Sequence, residues 1–366
     1  MVAHYANLPT VSTVVCLNRR SNSSTDALSR QLSSLSSRGL NLAPDALAKI
    51  SAFEADTTKP YLGLAQSTYE SLVNTITHIV HNAWPMNAKQ PLVAFKPQFR
   101  VLRHFIDFAA LISSRRSSGF KLGFQFISSI ATVGHYPYHT GSANIPEERM
   151  TIESVLPNGY GDAKFICERM LDETLHQYAS RFNTMIVRLG QVAGSTASGY
   201  WNENEHLPFL IKSSQTLGVL PSLYGPVSWT PVDAVAAACA DLVLTDKVAQ
   251  PVYHIDNPVR QPWAEMLPLL AAELGISERK IVAFEEWVRR VREAPSTATA
   301  GKDDANPAKR LVDFLEADFR RMSCGGVLLG TERSRQDSQA MRNVGPVDRA
   351  TVRGFVQSWK ARGFLA

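Results

Sequence analysis

Four side chains in the middle of this sequence have the types and spacing for carbonyl chemistry: Ser128, Ser129, Tyr160 and Lys164. A phenol with a pKa near ~10 is a weak proton donor at neutral pH, and a lysine ammonium one helical turn away favours its anion and lowers that value. A serine hydroxyl close by can hold a carbonyl oxygen for the acid. The elements must deliver these groups to one place. Phe124 to Ile127 reads as a short buried strand with the two serines at its end. Asn158-Gly-Tyr-Gly-Asp-Ala-Lys164 runs into Phe165 to Leu175, where apolar residues recur at helical spacing, so Tyr160 and Lys164 share one helix face. Without the strand and its serines, Tyr-x-x-x-Lys would be no more than an amphipathic helix carrying a surface pair.

The set as a whole resembles the short-chain dehydrogenase/reductase superfamily in its extended form. The flanking sequence suits a parallel sheet with helices between its strands. Thr10 to Leu17 is a β-branched run ending in Asn18-Arg19-Arg20, Ile50 to Ala55 ends at Asp56-Thr57, and Thr75 to Val80 runs into His81-Asn82-Ala83. In a nucleotide-binding sheet the strand bearing Arg19 and Arg20 ends at the adenosine ribose, where arginine pairs with a 2′-phosphate and so favours NADP. Asp56 and Thr57 fall at the adenine ring, or else form a turn before Lys59-Pro60. Asn82 and Ala83 leave small backbone beside the crevice. Phe99 to Ala109 has helical periodicity. Asn183 to Gly194 reads as one further strand, whose Gly190 and Val192 lie toward the nicotinamide.

Ser195 to Trp229 carries Trp201, Leu207, Pro208, Tyr224 and Trp229 and reads as a substrate-facing cover, with packing between subdomains as the alternative. From Val252 on the pattern is mostly helical, interrupted by an exposed loop from Ala294 to Asn306. The division expected is residues 1–250 as a Rossmann-like nucleotide-binding domain and 251–366 as a smaller helical subdomain facing substrate and carrier.

Composition narrows the classes of function. The 366 residues are 45% apolar, enough for a substantial core. They contain no apolar run of membrane-spanning length and open on no signal peptide, so a cytoplasmic, non-membrane protein is expected. The cysteines, Cys16, Cys167, Cys239 and Cys324, are widely separated and read as reduced thiols. His135 and His139 have a four-residue spacing, but Gly134, Pro137 and Gly141 argue against a helical metal pair, so no metal site is expected. A net charge of +5 suits an acidic partner or a phosphate-bearing ligand, and its dispersal argues against nucleic acid.

A narrower resemblance covers nearly the whole chain. Thr77 to Asn87, Gly159 to Arg169, Arg188 to Gly194, Trp229 to Asp233 and, in the tail, Asn306 to Ala308, Asp313 to Phe319 and Trp359 to Leu365 are similar to thioester reductase domains. These domains terminate fungal polyketide and nonribosomal peptide synthetases and carboxylic acid reductases. The resemblance implies NADPH-dependent reduction of an acyl group held on the phosphopantetheine arm of an acyl or peptidyl carrier protein, with release of an aldehyde or, after a second reduction, an alcohol. By position it makes Tyr160 the general acid and Lys164 the ribose-holding cation, and it gives the carbonyl to Ser129, with Ser128 as the fallback. Two alternatives stand beside it: a nucleotide-sugar epimerase or dehydratase of the extended superfamily, and a docking protein that has lost cofactor binding.

One part of that family's pattern is missing from the sequence. A first strand and a Gly-x-x-Gly-x-x-Gly turn, whose amides bind the cofactor pyrophosphate, have no counterpart, and Met1 to Pro9 reads as the end of the helix that would follow them. On the order of 20 residues of the fold are therefore expected upstream. A start recorded too late is the preferred account, against an inactive fragment or a rearranged sheet. A slot in the sheet is the structural consequence expected.

Overall fold

A computed structural model describes residues 1–22, 24–87, 89–294 and 305–366. Residues 295–304 of the loop expected at Ala294 to Asn306 lie outside the described residues. The chain divides into two compact units, each assembled from three segments. Met1–Gly190, Ala234–Ile255 and Leu329–Asn343 form the first; Gln191–Asp233, Asp256–Leu328 and Val344–Ala366 form the second. This differs from a single break at residue 250. The strand Val252–Ile255 pairs with Ile186–Leu189 and so draws its segment into the first unit.

The first unit is α/β. Val14–Arg19 (β1) and Ile50–Ala55 (β2) form a parallel pair in register from Val14↔Ile50 to Arg19↔Ala55. The helix Ala27–Ser36 (α1) lies between them in sequence, begun by Asp26, whose carboxylate accepts from the Ser29 amide at 3.0 Å. Gln66–Thr75 (α2) precedes His78–His81 (β3), and Lys96–Ser114 (α3) leads to Leu122–Ser129 (β4). Gly159–Asp172 (α4) is followed by Phe182–Leu189 (β5) and later by Val252–Ile255 (β6). These last four strands make a parallel sheet in the order β6, β5, β4, β3. Leu122 to Ser128 are all buried, as a central parallel strand covered on both faces requires.

Two boundaries depart from expectation. Thr75, expected in a strand, ends α2, where its hydroxyl donates to the Ser71 carbonyl at 2.8 Å. The strand expected over Asn183–Gly194 stops at Leu189, and Val192–Ala193 pairs instead with Thr230–Pro231 in the second unit. The amino-terminal stretch forms a helix, Val2–Asn7, as read from the sequence.

Among the described residues no strand bridges β1 and β3. A cavity of about 910 Å³ is found there, lined by Val15 and Leu17 of β1, Ile79 of β3, and Phe105 and Phe108 of α3. Its walls there are apolar, as in a sheet interior. No described helix is long and apolar enough to cross a membrane.

The second unit has its own core, in which Trp201 meets Trp229 and Phe355 edge to face at 5.2 and 5.1 Å between ring centres. Trp229 meets Trp263 in the same way at 5.5 Å. Three of the buried indoles place their N–H groups on polar partners: Trp359 donates to the Trp201 carbonyl, Trp263 to that of Ser323, and Trp287 to the Ser214 hydroxyl. This corrects the expected substrate-facing cover. Trp201, Leu207, Pro208 and Trp229 are interior, the helix His206–Leu217 (α5) runs through the stretch, and of the five residues only Tyr224 is exposed.

Candidate active site

Helix α4 starts where its sequence requires. The Asn158 side chain accepts from the Gly161 amide at 2.8 Å, and Gly159 lies so close to the 90–92 segment that a Cβ there would stand 2.4 Å from the Gln90 carbonyl oxygen. Only glycine fits. The helix is thereby pressed against the 90–92 segment, and Tyr160 and Lys164 leave its buried face on successive turns, 8% and 3% exposed.

Ser129 and Tyr160 are in hydroxyl contact, and Ser129 Oγ also accepts from the Ala131 amide at 3.1 Å, which fixes the loop that leaves the strand. Ser128 faces elsewhere and donates to the Glu168 carboxylate. Of the two serines, Ser129 is the one beside the phenol. Lys164 Nζ donates to the Ile127 carbonyl at 2.7 Å. It stands 3.9 Å from the centre of the Trp84 ring and 4.8 Å from that of Phe126, so two aromatic faces and one carbonyl surround the ammonium.

The electrostatics differ from the expectation of a phenol made acidic by its lysine. Burial holds the Tyr160 phenol above its usual value, with the Ser129 hydrogen bond working the other way. Burial also brings Lys164 down to about 7, against the opposing influence of Cys167 and Glu168. Both charged forms are costly in this dry corner, so desolvation outweighs the attraction that sequence spacing suggests. His81, stacked on Phe126 at 5.7 Å, is driven to about 3 by burial and then by Lys164, and stays neutral.

The residues assigned to cofactor from the sequence are largely brought together. Arg19, Arg20, Asp56, Thr57, Asn82 and Ala83 all line the 910 Å³ cavity. Asp56 accepts from the Thr58 hydroxyl and amide and from Lys59, which keeps its carboxyl below the usual range. Gly190 and Val192 are not among the lining residues. The Gly190 amide is spent on the Ile255 carbonyl at 2.9 Å, and Val192 belongs to the second unit.

Trp84 received no role from the sequence, yet it lines the cavity and covers Lys164. Its position directly after the strand-terminal Asn82-Ala83 was the available signal. Glu168 was missed as well, although it continues the four-residue spacing of Tyr160 and Lys164.

Comparisons with known proteins bear on the family and the fold. The NAD-binding family model described as male sterility protein matches residues 5–239. The non-reducing polyketide synthase pks11 of Talaromyces marneffei is 56% identical over 365 residues, which are 100% of this chain and 14% of that protein. The 3-methylorcinaldehyde synthase tropA of Talaromyces stipitatus is 53% identical over 366 residues, with the same coverage. This chain therefore spans about one seventh of the length of these relatives. Among solved structures, the terminal R domain from the myxalamid PKS-NRPS biosynthetic pathway matches with a TM-score of 0.80 at 22% identity, covering 100% of this chain and 89% of that one. That last likeness bears on fold.

Proposed function

The chain belongs to the NAD-binding male sterility protein family, and we propose that it acts as the releasing reductase of a polyketide assembly system, converting a carrier-bound acyl thioester to an aldehyde with NADPH. The observation that carries this reading is the convergence of Tyr160, Lys164 and Ser129 at the end of β4, in a chain 53% identical to part of a synthase named for an aldehyde product.

The residues fit the two ends of a phosphorylated dinucleotide. Arg19 and Arg20 at the cavity rim are fitted to a 2′-phosphate, and this is the basis for NADPH over NADH. At the other end stand the Lys164 ammonium and two buried ring nitrogens without a partner, the Trp84 Nε1 donor and His81 Nε2. No Gly-x-x-Gly-x-x-Gly turn for the pyrophosphate occurs in the sequence.

When bound, the reduced nicotinamide supplies hydride to the thioester carbonyl carbon. Ser129 holds the carbonyl oxygen by its hydroxyl, and Tyr160 donates its phenolic proton as negative charge grows on that oxygen. A phenol kept protonated by burial is suited to this task. Lys164 holds the ribose hydroxyls and, as an ammonium, stabilises the phenolate left behind. The hemithioacetal then collapses: its C–S bond breaks, its hydroxyl proton is released, and the pantetheine sulfur departs as a thiol. The carrier domain is the proposed partner, toward which the basic balance of the chain steers an acidic surface.

The test is direct. Purified protein mixed with NADPH and an acyl-pantetheine thioester should oxidise the nucleotide and release free thiol and aldehyde in equal amounts. NADPH binding without thiol release would overturn the assignment.

A further inference from the structure

The buried face of α4 carries polar residues at every fourth position: Tyr160, Lys164, Glu168 and Asp172, none more than 8% exposed. A helix face packed on a sheet normally carries apolar side chains there. Tyr160 and Lys164 belong to the site, and Asp172 is held at the far end by Arg149, Arg169 and His176. Glu168 is left without a role in the reaction.

Its surroundings are specific. Arg188 Nη2 lies 2.6 Å from one carboxylate oxygen and Nε 3.1 Å from the other, and the Ser128 hydroxyl donates to the oxygen that Nε reaches. Arg188 is fully buried, and its Nη1 donates to the Glu148 carbonyl at 2.9 Å. Ser128 and Arg188 are register partners on the adjacent strands β4 and β5, so one carboxylate ties the helix to both. Burying two charges costs several kcal/mol per ion, which their attraction roughly offsets, so an apolar pair would hold the helix about as well. Packing strength therefore does not explain the pair.

We propose that Glu168, locked by Arg188 and Ser128, is a positioning residue for the active site. It sets α4 against β4 so that Lys164 reaches the Ile127 carbonyl and Tyr160 faces Ser129, and it places a fixed negative charge one turn from the Lys164 ammonium. The proposal rests on the roles given above to Tyr160 and Lys164. The titratable groups that act on Lys164 are Cys167 and Glu168 on α4 and His81 on β3, and Glu168 in turn holds Arg188 on β5, with His254 on β6 behind it. Glu168 is the one carboxylate among them, and it opposes the fall of the lysine toward about 7. Removing its charge makes the ammonium lose its proton at lower pH.

The test uses the cofactor-free protein with ε-13C lysine, the Lys164 resonance being assigned through Lys164→Arg. In Glu168→Gln, nearly isosteric, the Lys164 midpoint should drop by roughly one pH unit, and the alkaline limb of kcat/KM should move with it. A lowered melting temperature with an unmoved midpoint would reduce Glu168 to a structural role and overturn the proposal. Should Glu168→Gln not fold, the double variant Glu168→Leu/Arg188→Met removes both charges. Positioning predicts a stably folded protein whose kcat is lower by roughly 10- to 100-fold, and wild-type kcat there would overturn it. Absence of thioester turnover in the wild type would count against the proposed function, while the resonance shift would still report on Glu168.

Discussion

Tyr160 and Lys164 share a helix face and a dry environment, and the environment governs their protonation. Replacing Tyr160 with Phe removes the proton donor and little volume, so kcat should fall by roughly 10²- to 10⁴-fold while NADPH affinity, followed by nucleotide fluorescence, changes little. Retained turnover would remove Tyr160 from the role of acid. For Lys164 the sign is set by its folded pKa of about 7, depressed below the ordinary lysine value. The cost of burying the ammonium is complete below about pH 7, and it declines as pH rises from there toward the unfolded value near ~10.4. Lys164→Met should therefore melt at a higher temperature than wild type at pH 6, with a difference that shrinks toward pH 10, and a pH-independent difference in thermal melts would contradict this. The spacing of these residues was legible in the sequence. The direction of their pKa values was not, because desolvation depends on Phe95, Trp84 and Phe126 arriving from elsewhere in the chain.

At the scale of elements, the entry into α4 is the sensitive point. Gly159 abuts backbone of the 90–92 segment, and even alanine there would force that segment or the helix aside. Gly159→Ala should cost about 1–3 kcal/mol in urea unfolding, with a loss of activity larger than the loss of folded protein at low denaturant. An unfolding midpoint equal to wild type would show that the contact relaxes freely. The strands that end at or just before Arg19, Asp56 and Asn82 were found in the sequence because short stretches with β-branched and aromatic residues run there into polar residues. The split of the predicted Asn183–Gly194 strand was not, since Val192 and Ala193 are as apolar as what precedes them and only their pairing with Thr230–Pro231 assigns them elsewhere.

Across the whole molecule, hydrogen-bond accounting separates two kinds of strand. β4 and β5 are paired on both edges, whereas β1 and β3 each have one edge without a strand partner among the described residues. In native-state hydrogen exchange, cavity-facing amides of β1 and β3 should exchange well before those of β4 and β5, and equal protection across all four would mean that the edges are satisfied in solution. The second unit rests on its aromatic core. Trp201→Ala should lower stability by about 3–5 kcal/mol, read in a denaturant titration, because Trp201 is 2% exposed and touches three other core rings.

The amino-acid sequence by itself determined that the first unit is a parallel α/β structure, that Tyr160 and Lys164 leave one helix face toward the strand bearing Ser129, and that Arg19, Arg20, Asp56, Thr57, Asn82 and Ala83 gather at strand ends. Period and apolar pattern are local quantities, and strand ends in a parallel sheet lie on one side whatever else happens. Only the tertiary structure decided that the aromatic stretch after Gly194 is core, that Ser128 serves Glu168 while Ser129 serves Tyr160, and that Lys164 loses much of its basicity. Those outcomes depend on which distant residues exclude water from a given atom, and no window of sequence contains that information.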